Sequence, residues 1–398
     1  MFIALLGRQP ELSIAELSAV FGEAQVTQAS RQAALIDTPA CDIDQLGGTL
    51  KIGRVVATLP LGRDDKTSLL HASRFITDHY TNAWRQREGK MTLGISVYGL
   101  KTSSRNVQKI GLLLKNRLKK TGVSLRLVPN DQPTLSTATS HHNKLGRAVN
   151  KIELLIVRTP RHLYIAESCG TQNITAYTRR DRQRPRRDAF VGMLPPKLAQ
   201  MMLNLALGPQ GNLPAPATIL DPFCGTGTVL QEALLKGYTV IGSDLSQKMV
   251  DYTQENLAWL QATHHTTGNI LTVTQGDAMS HQWTSPHPID AVVCETYLGQ
   301  PFSAPPAPAK LAEVVGNCNH IITHFLTNLH PQLPAHARLC IAVPAWQGVD
   351  DTFTHLPLVK QLSRLGYESL NHQPLLYHRD GQVVARQLLI LRPIRAAS

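Results

Sequence analysis

Cysteine is scarce in this sequence. Six cysteines occur in 398 residues, and no two of them form a Cys-x-x-Cys pair. They are Cys41, Cys169, Cys224, Cys294, Cys318 and Cys340. Such wide spacing argues against a disulfide framework and against a zinc ribbon, and it is typical of proteins from a reducing compartment.

Long apolar runs and compositional bias are also missing. No stretch approaches the roughly 18 apolar residues that a membrane helix needs. The apolar segment at positions 2–6 is too short for a signal peptide, and no basic residue precedes it. With 27 glycines and 25 prolines, the composition excludes collagen-like and largely disordered chains. We therefore expect a soluble, cytoplasmic protein of two or three domains that has no membrane contact.

Acidic residues are few in one quarter of the chain. Residues 101–200 hold 20 Lys or Arg and only 5 Asp or Glu, a net charge of +15. Residues 1–100 are neutral overall, and residues 201–398 have a net charge of −3. This asymmetry predicts an anionic polymer as partner, with nucleic acid as the leading candidate; a solvated basic surface is the plainer alternative.

Arginine is concentrated between positions 179 and 187. The cluster consists of Arg179, Arg180, Arg182, Arg184, Arg186 and Arg187. Because guanidinium forks match phosphate oxygens well, the cluster is predicted to contact a nucleic-acid backbone. The pairs His141-His142 and His264-His265 lack the spacing of zinc ligands, so no metal site is predicted.

Hydrophobic periodicity predicts two small α+β units in the first 170 residues. Residues 1–62 have the order βαββαβ, which is a ferredoxin-like arrangement. Residues 63–170 form a second unit, in which a basic helix over 105–120 carries Leu112, Leu113 and Leu114 towards a core.

The remaining chain reads as a linker followed by an α/β domain. Residues 171–193 hold the arginine cluster and little apolar periodicity, so they are predicted to be a linker. From residue 194 to 398, strands and helices alternate, with helices expected between the first five strands. This pattern predicts a mostly parallel sheet with both faces covered.

A glycine-containing motif follows the first strand of that domain. It runs from Asp221 to Thr228 and includes Gly225 and Gly227, which allow the backbone to approach a ligand closely. The helix that follows presents free N–H groups at the carboxyl end of a strand, where open α/β sheets bind ligands. Because the third glycine of the dinucleotide fingerprint and the Walker lysine are both missing, phosphate binding is disfavoured.

Acidic residues follow the next two strands. Asp244 can accept hydrogen bonds from ribose hydroxyls, and Asp277 can accept one from an adenine amine. A sugar site and a base site without a phosphate site fit S-adenosylmethionine. The plainer alternative is that the glycines only form a turn and that the aspartates only cap helices.

These motifs resemble a known family. The segment DPFCGTGT…VIGSDLS, within Asp221–Ser246, resembles motifs I and II of class I methyltransferases. Its amino-acid sequence is similar to that of the THUMP-containing tRNA guanosine-N2 methyltransferases of archaea and eukaryotes, the position-10 type. Similar segments are found at 7–12, 135–138, 142–145, 184–188, 193–199 and 377–379.

The resemblance implies a fold, a substrate and a cofactor. The fold is α/β: a ferredoxin-like unit and a THUMP RNA-binding domain, then a class I, Rossmann-like methyltransferase domain. The substrate is tRNA and the cofactor S-adenosylmethionine, with no DNA expected and a possible activating partner left open. The implied cofactor residues are Asp221, Phe223, Gly225, Gly227, Thr228, Asp244, Leu245, Asp277 and Ala278. The implied RNA-binding residues are Asn143, Lys144, Arg179, Arg180, Arg184, Arg186 and Arg187.

The sequence departs from the family at the catalytic motif. The family's Asp-Pro-Pro-Tyr-Gly is here Glu295-Thr296-Tyr297-Leu298-Gly299. An exocyclic amine is a poor nucleophile, because its lone pair is delocalised into the base. A carboxylate that accepts its hydrogens can orient it, and an aromatic ring can stack on the flipped base. Glu295 and Tyr297 are the predicted catalytic residues, with Phe302 as a second candidate for stacking.

We therefore predict direct methyl transfer to the N2 amine of a tRNA guanosine. Three alternatives stay open at this point. The chain could be a tRNA-binding protein with a silent methyltransferase fold, or it could methylate adenine N6 in a nucleic acid. It could also use Cys224 or Cys294 as a covalent nucleophile.

Overall fold

The computed structural model describes residues 1–188, 193–209, 217–350 and 352–395. The chain divides into two compact units, Met1–Ala176 and Tyr177–Ser398. Among the described residues, no helix is long and apolar enough to cross a bilayer.

One continuous sheet organises the first unit. Its strands are β1 (Phe2–Leu6), β2 (Val26–Ser30), β3 (Ala33–Ile36), β4 (Thr49–Pro60), β5 (Met91–Tyr98), β6 (Leu125–Leu127), β7 (Lys151–Arg158) and β8 (His162–Thr171). They lie in the order β2-β3-β1-β4-β8-β7-β5-β6. The helices are α1 (Pro10–Phe21), α2 (Asp65–Trp84), α3 (Ser104–Lys120) and α4 (Thr137–His142), with 3-10 helices at Glu23–Gln25 and Ile43–Gln45. The predicted boundary after residue 62 stays a prediction; the sheet itself continues across it, because β4 pairs with both β1 and β8.

Strand β4 spans 12 residues, whereas the apolar pattern of the sequence predicts a strand only over 55–59. Its first half contains Lys51, a residue type that sequence reasoning places at the surface. Lys51 is 2% exposed and forms a buried ion pair with Glu153 of β7. Because a charged residue lies in this part of the core, hydrophobicity alone does not predict the first half of the strand.

The prediction that three consecutive leucines of α3 face the core is wrong for two of them. Leu114 is buried together with Ile110 and Leu118, whereas Leu112 and Leu113 are 48% and 53% exposed. At 3.6 residues per turn, three consecutive side chains spread over more than half of the helix circumference, so one face cannot bury them all.

The second unit contains the predicted sheet. Its strands are β9 (Thr218–Asp221), β10 (Thr239–Asp244), β11 (Asn269–Gln275), β12 (Ala291–Glu295), β13 (Arg338–Gln347), β14 (Phe353–His355), β15 (Tyr367–Ser369), β16 (Leu375–Tyr377) and β17 (Val384–Pro393). The main path is β11-β10-β9-β12-β13-β17-β15, with β14 beside β13 and β16 beside β17. The first five strands are parallel to one another, and β17 runs antiparallel to β13. The α/β class and the mostly parallel sheet are therefore confirmed.

The helices of this unit differ from the expectation in two places. They are α5 (Ile174–Arg182), which begins at the end of the first unit, α6 (Pro196–Leu207), α7 (Thr228–Leu235), α8 (Gln247–Thr263) and α9 (Pro308–Leu329). Three 3-10 helices lie at His330–Gln332, Pro357–Lys360 and Leu362–Leu365. Within the described chain, no helix connects β11 to β12, although one was expected there. Helix α5 falls inside the predicted linker, so the arginine cluster begins on a helix rather than in irregular chain.

Candidate active site

Four carboxylates lie at the carboxyl edge of the parallel strands. Asp221 and Glu295 end β9 and β12, Asp244 ends β10, and Asp277 follows β11 by two residues. These four strands are neighbours in the sheet, in the order β11-β10-β9-β12. Because parallel strands end at the same edge, residues separated by up to 74 positions in the sequence come to one side of the sheet.

The loop between β9 and α7 has a backbone that only glycine adopts easily. Gly225 and Gly227 have φ of 52° and 80°, in the left-handed region. A Cβ on Gly227 would lie 3.0 Å from Cγ2 of Thr253, which is close enough to displace it. Thr228 then begins α7, so the loop leads directly to the free N–H groups of a helix.

Asp244 is held by the glycine loop and by its own strand end. Its Oδ2 accepts the Gly225 N–H at 2.9 Å, and its Oδ1 accepts the Ser246 N–H at 2.9 Å. Each carboxylate oxygen can accept a second hydrogen bond, so both keep an acceptor position for a ligand hydroxyl. Leu245, beside it, is 69% exposed.

Asp221 and Asp277 are less exposed than surface carboxylates. Asp221 is buried, and its Oδ1 accepts the Phe223 N–H at 3.1 Å. Burial raises the pKa of Asp221 well above its ordinary value, and the negative charges of Asp244 and Glu295 raise it further. Asp277 accepts the Met279 N–H through Oδ1 at 2.9 Å. Ala278 packs in the core, so only its main chain can face a ligand.

Glu295 forms an ion pair that sequence reasoning missed. Its Oε1 accepts a hydrogen bond from Nε of Arg386 on β17, and the two side chains are 14% and 12% exposed. Arg386 lies 91 positions further along the chain, and no local pattern marks it. The sheet brings the two residues together, because β13 lies between their strands and pairs with both.

The residues after Glu295 are fixed without the family's prolines. The N–H and the hydroxyl of Thr296 both donate to the Ala342 carbonyl, each at 3.0 Å. Thr296 is buried, whereas the predicted stacking residue Tyr297 is 43% exposed. Gly299 has φ of 80°, so the loop turns away at a glycine, as in the family motif. Two hydrogen bonds thus hold the chain where proline would restrict it.

The cysteines of the site are poorly suited to nucleophilic attack. Cys224 is 4% exposed and Cys294 is 0% exposed. Burial raises the pKa of both thiols, and the neighbouring Asp221 carboxylate raises it further. Since the thiolate is the reactive form, both environments disfavour a covalent route. In the described chain, no group of three or more His, Cys, Asp or Glu side chains is placed to hold a metal ion.

The structure corrects the prediction for part of the arginine cluster. Arg184 has a fully buried side chain, and its Nη1 donates to the Thr228 hydroxyl at 2.7 Å. Arg180 pairs with buried Glu232 at 2.6 Å. These two guanidinium groups bind other side chains of the protein. They are therefore not available for the RNA contacts that the sequence predicts. Arg186 is more exposed but pairs with Glu255 at 2.6 Å.

Other predicted RNA contacts lie at the surface. Arg179 and Arg187 are exposed, as is Arg182 between them. In the first unit, Lys144 is exposed with a φ of 55°. Asn143 is half-buried and donates to the Thr139 carbonyl at 2.9 Å. The exposed side chains are Lys144, Arg179, Arg182 and Arg187, and their RNA contacts stay a prediction.

Two residues of α8 that the sequence did not single out hold the glycine loop from behind. The Thr253 hydroxyl donates to the Gly225 carbonyl at 2.8 Å, and Nδ2 of Asn256 donates to the Thr226 carbonyl at 2.8 Å. Asn256 also exchanges two hydrogen bonds with the backbone of Arg186. Their spacing of three residues on one helix was the only local signal.

Comparison with known proteins agrees with this geometry. Residues 183–344 match the family described as UPF0020, an RMKL-like methyltransferase domain. The second unit has a methyltransferase fold. A DNA methylase family also matches, over residues 73–255, which spans parts of the first unit and of the methyltransferase unit.

Two curated relatives have the name of the family that the motifs resemble. The tRNA (guanine(10)-N2)-dimethyltransferase of Methanothermobacter thermautotrophicus is 33% identical over 155 residues, which is 39% of this chain and 40% of that protein. The enzyme of the same name from Methanocaldococcus jannaschii is 41% identical over 81 residues, 20% of this chain and 22% of that protein. The resemblance is therefore confirmed, although the matched segments span less than half the length of these relatives.

A solved structure extends the likeness in fold to the first unit. TrmN from Thermus thermophilus covers 99% of this chain and 99% of its own, with a TM-score of 0.52 and 17% identity. At this identity the likeness concerns the fold alone. The whole chain, and not only the methyltransferase unit, therefore has a counterpart of known structure.

Proposed function

We propose that this protein is an S-adenosylmethionine-dependent tRNA methyltransferase that transfers a methyl group to the exocyclic N2 amine of a guanosine. The observation that carries the proposal is the set of four carboxylates at neighbouring strand ends. Asp221 and Asp244 lie at the glycine loop, Asp277 follows the next strand, and Glu295 stands at the position of the family's catalytic acid. The names of the curated relatives support the choice of tRNA and of the guanine amine.

The described residues fit the cofactor. Gly225 and Gly227 have no side chain where the backbone would approach the methionine end, next to buried Asp221. Asp244 is held by two N–H groups and retains acceptor positions for two ribose hydroxyls. Asp277 would accept from the adenine amine, and Phe223, Thr228, exposed Leu245 and the main chain of Ala278 would line the site. When bound, the cofactor supplies an electrophilic methyl group.

Glu295 and Tyr297 would bind and orient the guanine base. The free oxygen of the Glu295 carboxylate accepts a hydrogen of the guanine amine and directs its lone pair to the methyl group. The cofactor, held by the glycine loop and Asp244, would supply the methyl group as an electrophile and would leave as a neutral thioether. The amine then loses a proton, for which the same carboxylate is an acceptor. Exposed Tyr297 stacks on the flipped guanine.

The first unit and the exposed arginines would hold the tRNA. We assign residues 1–62 to a ferredoxin-like domain, 63–170 to a THUMP domain, 171–193 to the linker and 194–398 to the methyltransferase domain. Lys144 with Asn143, and Arg179, Arg182 and Arg187, would contact phosphates in a cytoplasmic enzyme. DNA is not the expected substrate, and an activating protein partner is left open.

The test is nucleoside mass spectrometry of unmodified tRNA incubated with the protein and S-adenosylmethionine, beside the Glu295→Ala variant. We expect N2-methylguanosine from the wild type and a loss of at least about 10²-fold in the variant, since positioning effects of this size are typical. Methyladenosine instead would favour the adenine-N6 alternative, to which the match with a DNA methylase family points. Intact cofactor and tRNA binding without any product would favour the silent binding protein.

A further inference from the structure

Glu295 stands at the position where the family motif has an aspartate, and it forms an ion pair with an arginine. Nε of Arg386 donates to Oε1 of Glu295, and both side chains are mostly buried. We propose that Arg386 is a positioning residue that fixes the Glu295 carboxylate for the substrate amine. This inference rests on the proposed function and names a part of the site that the sequence motifs do not contain.

The need for a second residue follows from the length of the glutamate side chain. Glutamate has one methylene more than the family's aspartate, and therefore one more rotatable bond between backbone and carboxylate. An unpaired glutamate would divide its time among several rotamers, most of which point away from the amine. A guanidinium is planar and holds its donors in a fixed direction, so a bond from Nε selects one orientation.

Arg386 is itself held by the sheet. It lies within β17, where its Cα pairs with Pro344 of β13 on one side and with Tyr377 of β16 on the other. A residue between two paired strands has little backbone freedom. Its side chain is 12% exposed, so surrounding protein also limits the rotamers of the guanidinium.

The second carboxylate oxygen keeps its acceptor capacity. Among the described residues, no hydrogen bond reaches Oε2 of Glu295. On its C-terminal side, the main chain is fixed by the two hydrogen bonds of Thr296 to the Ala342 carbonyl. The carboxylate is thus restrained through Oε1 and through the backbone, while Oε2 remains for the amine.

Charge supports the same assignment. The carboxylates of Asp244 and Glu295 both raise the pKa of buried Asp221, which shows that negative charge is concentrated at this edge of the sheet. Arg386 brings the opposite charge to Glu295. Without Arg386, that carboxylate would face its acidic neighbours with no ion-pair partner from the described residues.

Strand β17 offers a matched control for a purely structural ion pair. Nε of Arg392, six residues further on, pairs with Oε2 of Glu368 at 2.5 Å. The atoms and the strand are equivalent, but these side chains are 56% and 46% exposed and Glu368 lies on β15, away from the carboxyl edge of β12. Arg392→Gln therefore removes the same kind of pair without touching the site.

The experiment measures kcat and KM for tRNA methylation in Arg386→Gln, Arg386→Lys, Arg392→Gln, Glu295→Gln and the double variant Glu295→Gln/Arg386→Gln. We expect Arg386→Gln to lower kcat by about 10²-fold. The KM values for tRNA and for S-adenosylmethionine should both stay within about 2-fold of wild type. Arg386→Lys should recover part of the loss, and Arg392→Gln should match wild type. The double variant should be no slower than Glu295→Gln alone, because Arg386 acts through that carboxylate.

Several outcomes would overturn the inference. One is a kcat of Arg386→Gln equal to that of Arg392→Gln. Another is a loss of kcat in the double variant that equals the product of the losses in Glu295→Gln and Arg386→Gln. Should Arg386→Gln not fold, as judged by its thermal midpoint, a kcat of Arg386→Lys equal to wild type would overturn it. No methylguanosine from the wild type would overturn the proposed function, and this inference with it.

Discussion

At the scale of single residues, Arg184 has a different task from the one its sequence context predicts. Its side chain is buried, it donates to Thr228 in the first turn of α7, and Asp181 lies 3.8 Å away. Burial lowers the pKa of its guanidinium, which opposes the charged form that Asp181 and Glu232 favour. A buried cation near a helix N-terminus is unfavourable for the helix dipole. Its hydrogen bond to Thr228, however, restrains the residue that directly follows the glycine loop.

Arg184→Met should therefore weaken cofactor binding rather than tRNA binding. The change removes the hydrogen bond to Thr228 and should cost about 1–3 kcal/mol of stability, because a buried polar partner is left unsatisfied. We expect the dissociation constant for S-adenosylmethionine, measured by calorimetry, to rise by about 10-fold. This corresponds to about 1.4 kcal/mol. An unchanged cofactor affinity with weaker tRNA binding would return Arg184 to the RNA-binding set.

Asp244→Asn tests the ribose site. An amide keeps one oxygen but turns an NH₂ group towards the N–H of Gly225 or of Ser246, where only an acceptor fits. Losing hydrogen bonds to a charged group costs about 1.5–3 kcal/mol each, so cofactor affinity should fall by roughly 10- to 100-fold. Affinity for tRNA, measured in the same preparation, should not change. Full cofactor affinity would leave Asp244 as a loop cap only.

Cys294→Ala separates direct transfer from a covalent route. The thiol is fully buried and its pKa is raised, so it should supply little thiolate. We expect methylation rates within about 3-fold of wild type, since the main cost of removing a small buried side chain is packing. Complete loss of product, with a normal thermal midpoint, would indicate the covalent mechanism.

At the scale of elements, the arginine cluster divides into two groups. On α5 and in the chain after it, Arg180 and Arg184 point into the methyltransferase unit, and Arg186 pairs with α8. Arg179, Arg182 and Arg187 are exposed. A helical start to the cluster explains the division, because successive residues of a helix face different directions.

Replacing the exposed group, Arg179, Arg182 and Arg187, by glutamine should reduce the salt dependence of tRNA binding. Each lost phosphate contact should flatten the slope of log affinity against log salt by up to ~0.9. Arg180→Gln is the matched control, since its guanidinium binds Glu232 and should not change the slope. A slope equal to wild type in the triple variant would remove this surface from the tRNA site.

At the scale of the whole molecule, each unit contains an ion pair between mostly buried side chains. The pair in the first unit supports the fold, and the pair in the second lies at the proposed active site. In the first unit, Nζ of Lys51 contacts the Glu153 carboxylate, the Ser140 hydroxyl and the Leu135 carbonyl. This cluster ties the segment that carries Asn143 and Lys144 to the sheet. In the methyltransferase unit, Arg386 and Glu295 form the corresponding pair at the proposed active site.

Lys51→Met should destabilise the first unit by about 3–5 kcal/mol, because it leaves Glu153 buried without its partner. Denaturant unfolding measures the loss. The double variant Lys51→Met/Glu153→Leu should recover most of it, since the Glu153 charge is then removed together with its partner. Cofactor binding under native conditions should be unchanged in both, because its residues lie in the methyltransferase unit. Equal stability of both variants would contradict the assigned pairing.

The sequence by itself determined the features that depend on neighbouring residues. The glycine loop, the three aspartates after successive strands and the α/β alternation follow from backbone preferences and periodicity within short windows. Tertiary structure alone decided which charges meet. Arg386 reaches Glu295 across 91 positions, Lys51 reaches Glu153 across 102, and Arg184 turns inwards beside exposed arginines. Spacing fixes local conformation, whereas burial and pairing are set by strands and helices that fold back from distant parts of the chain.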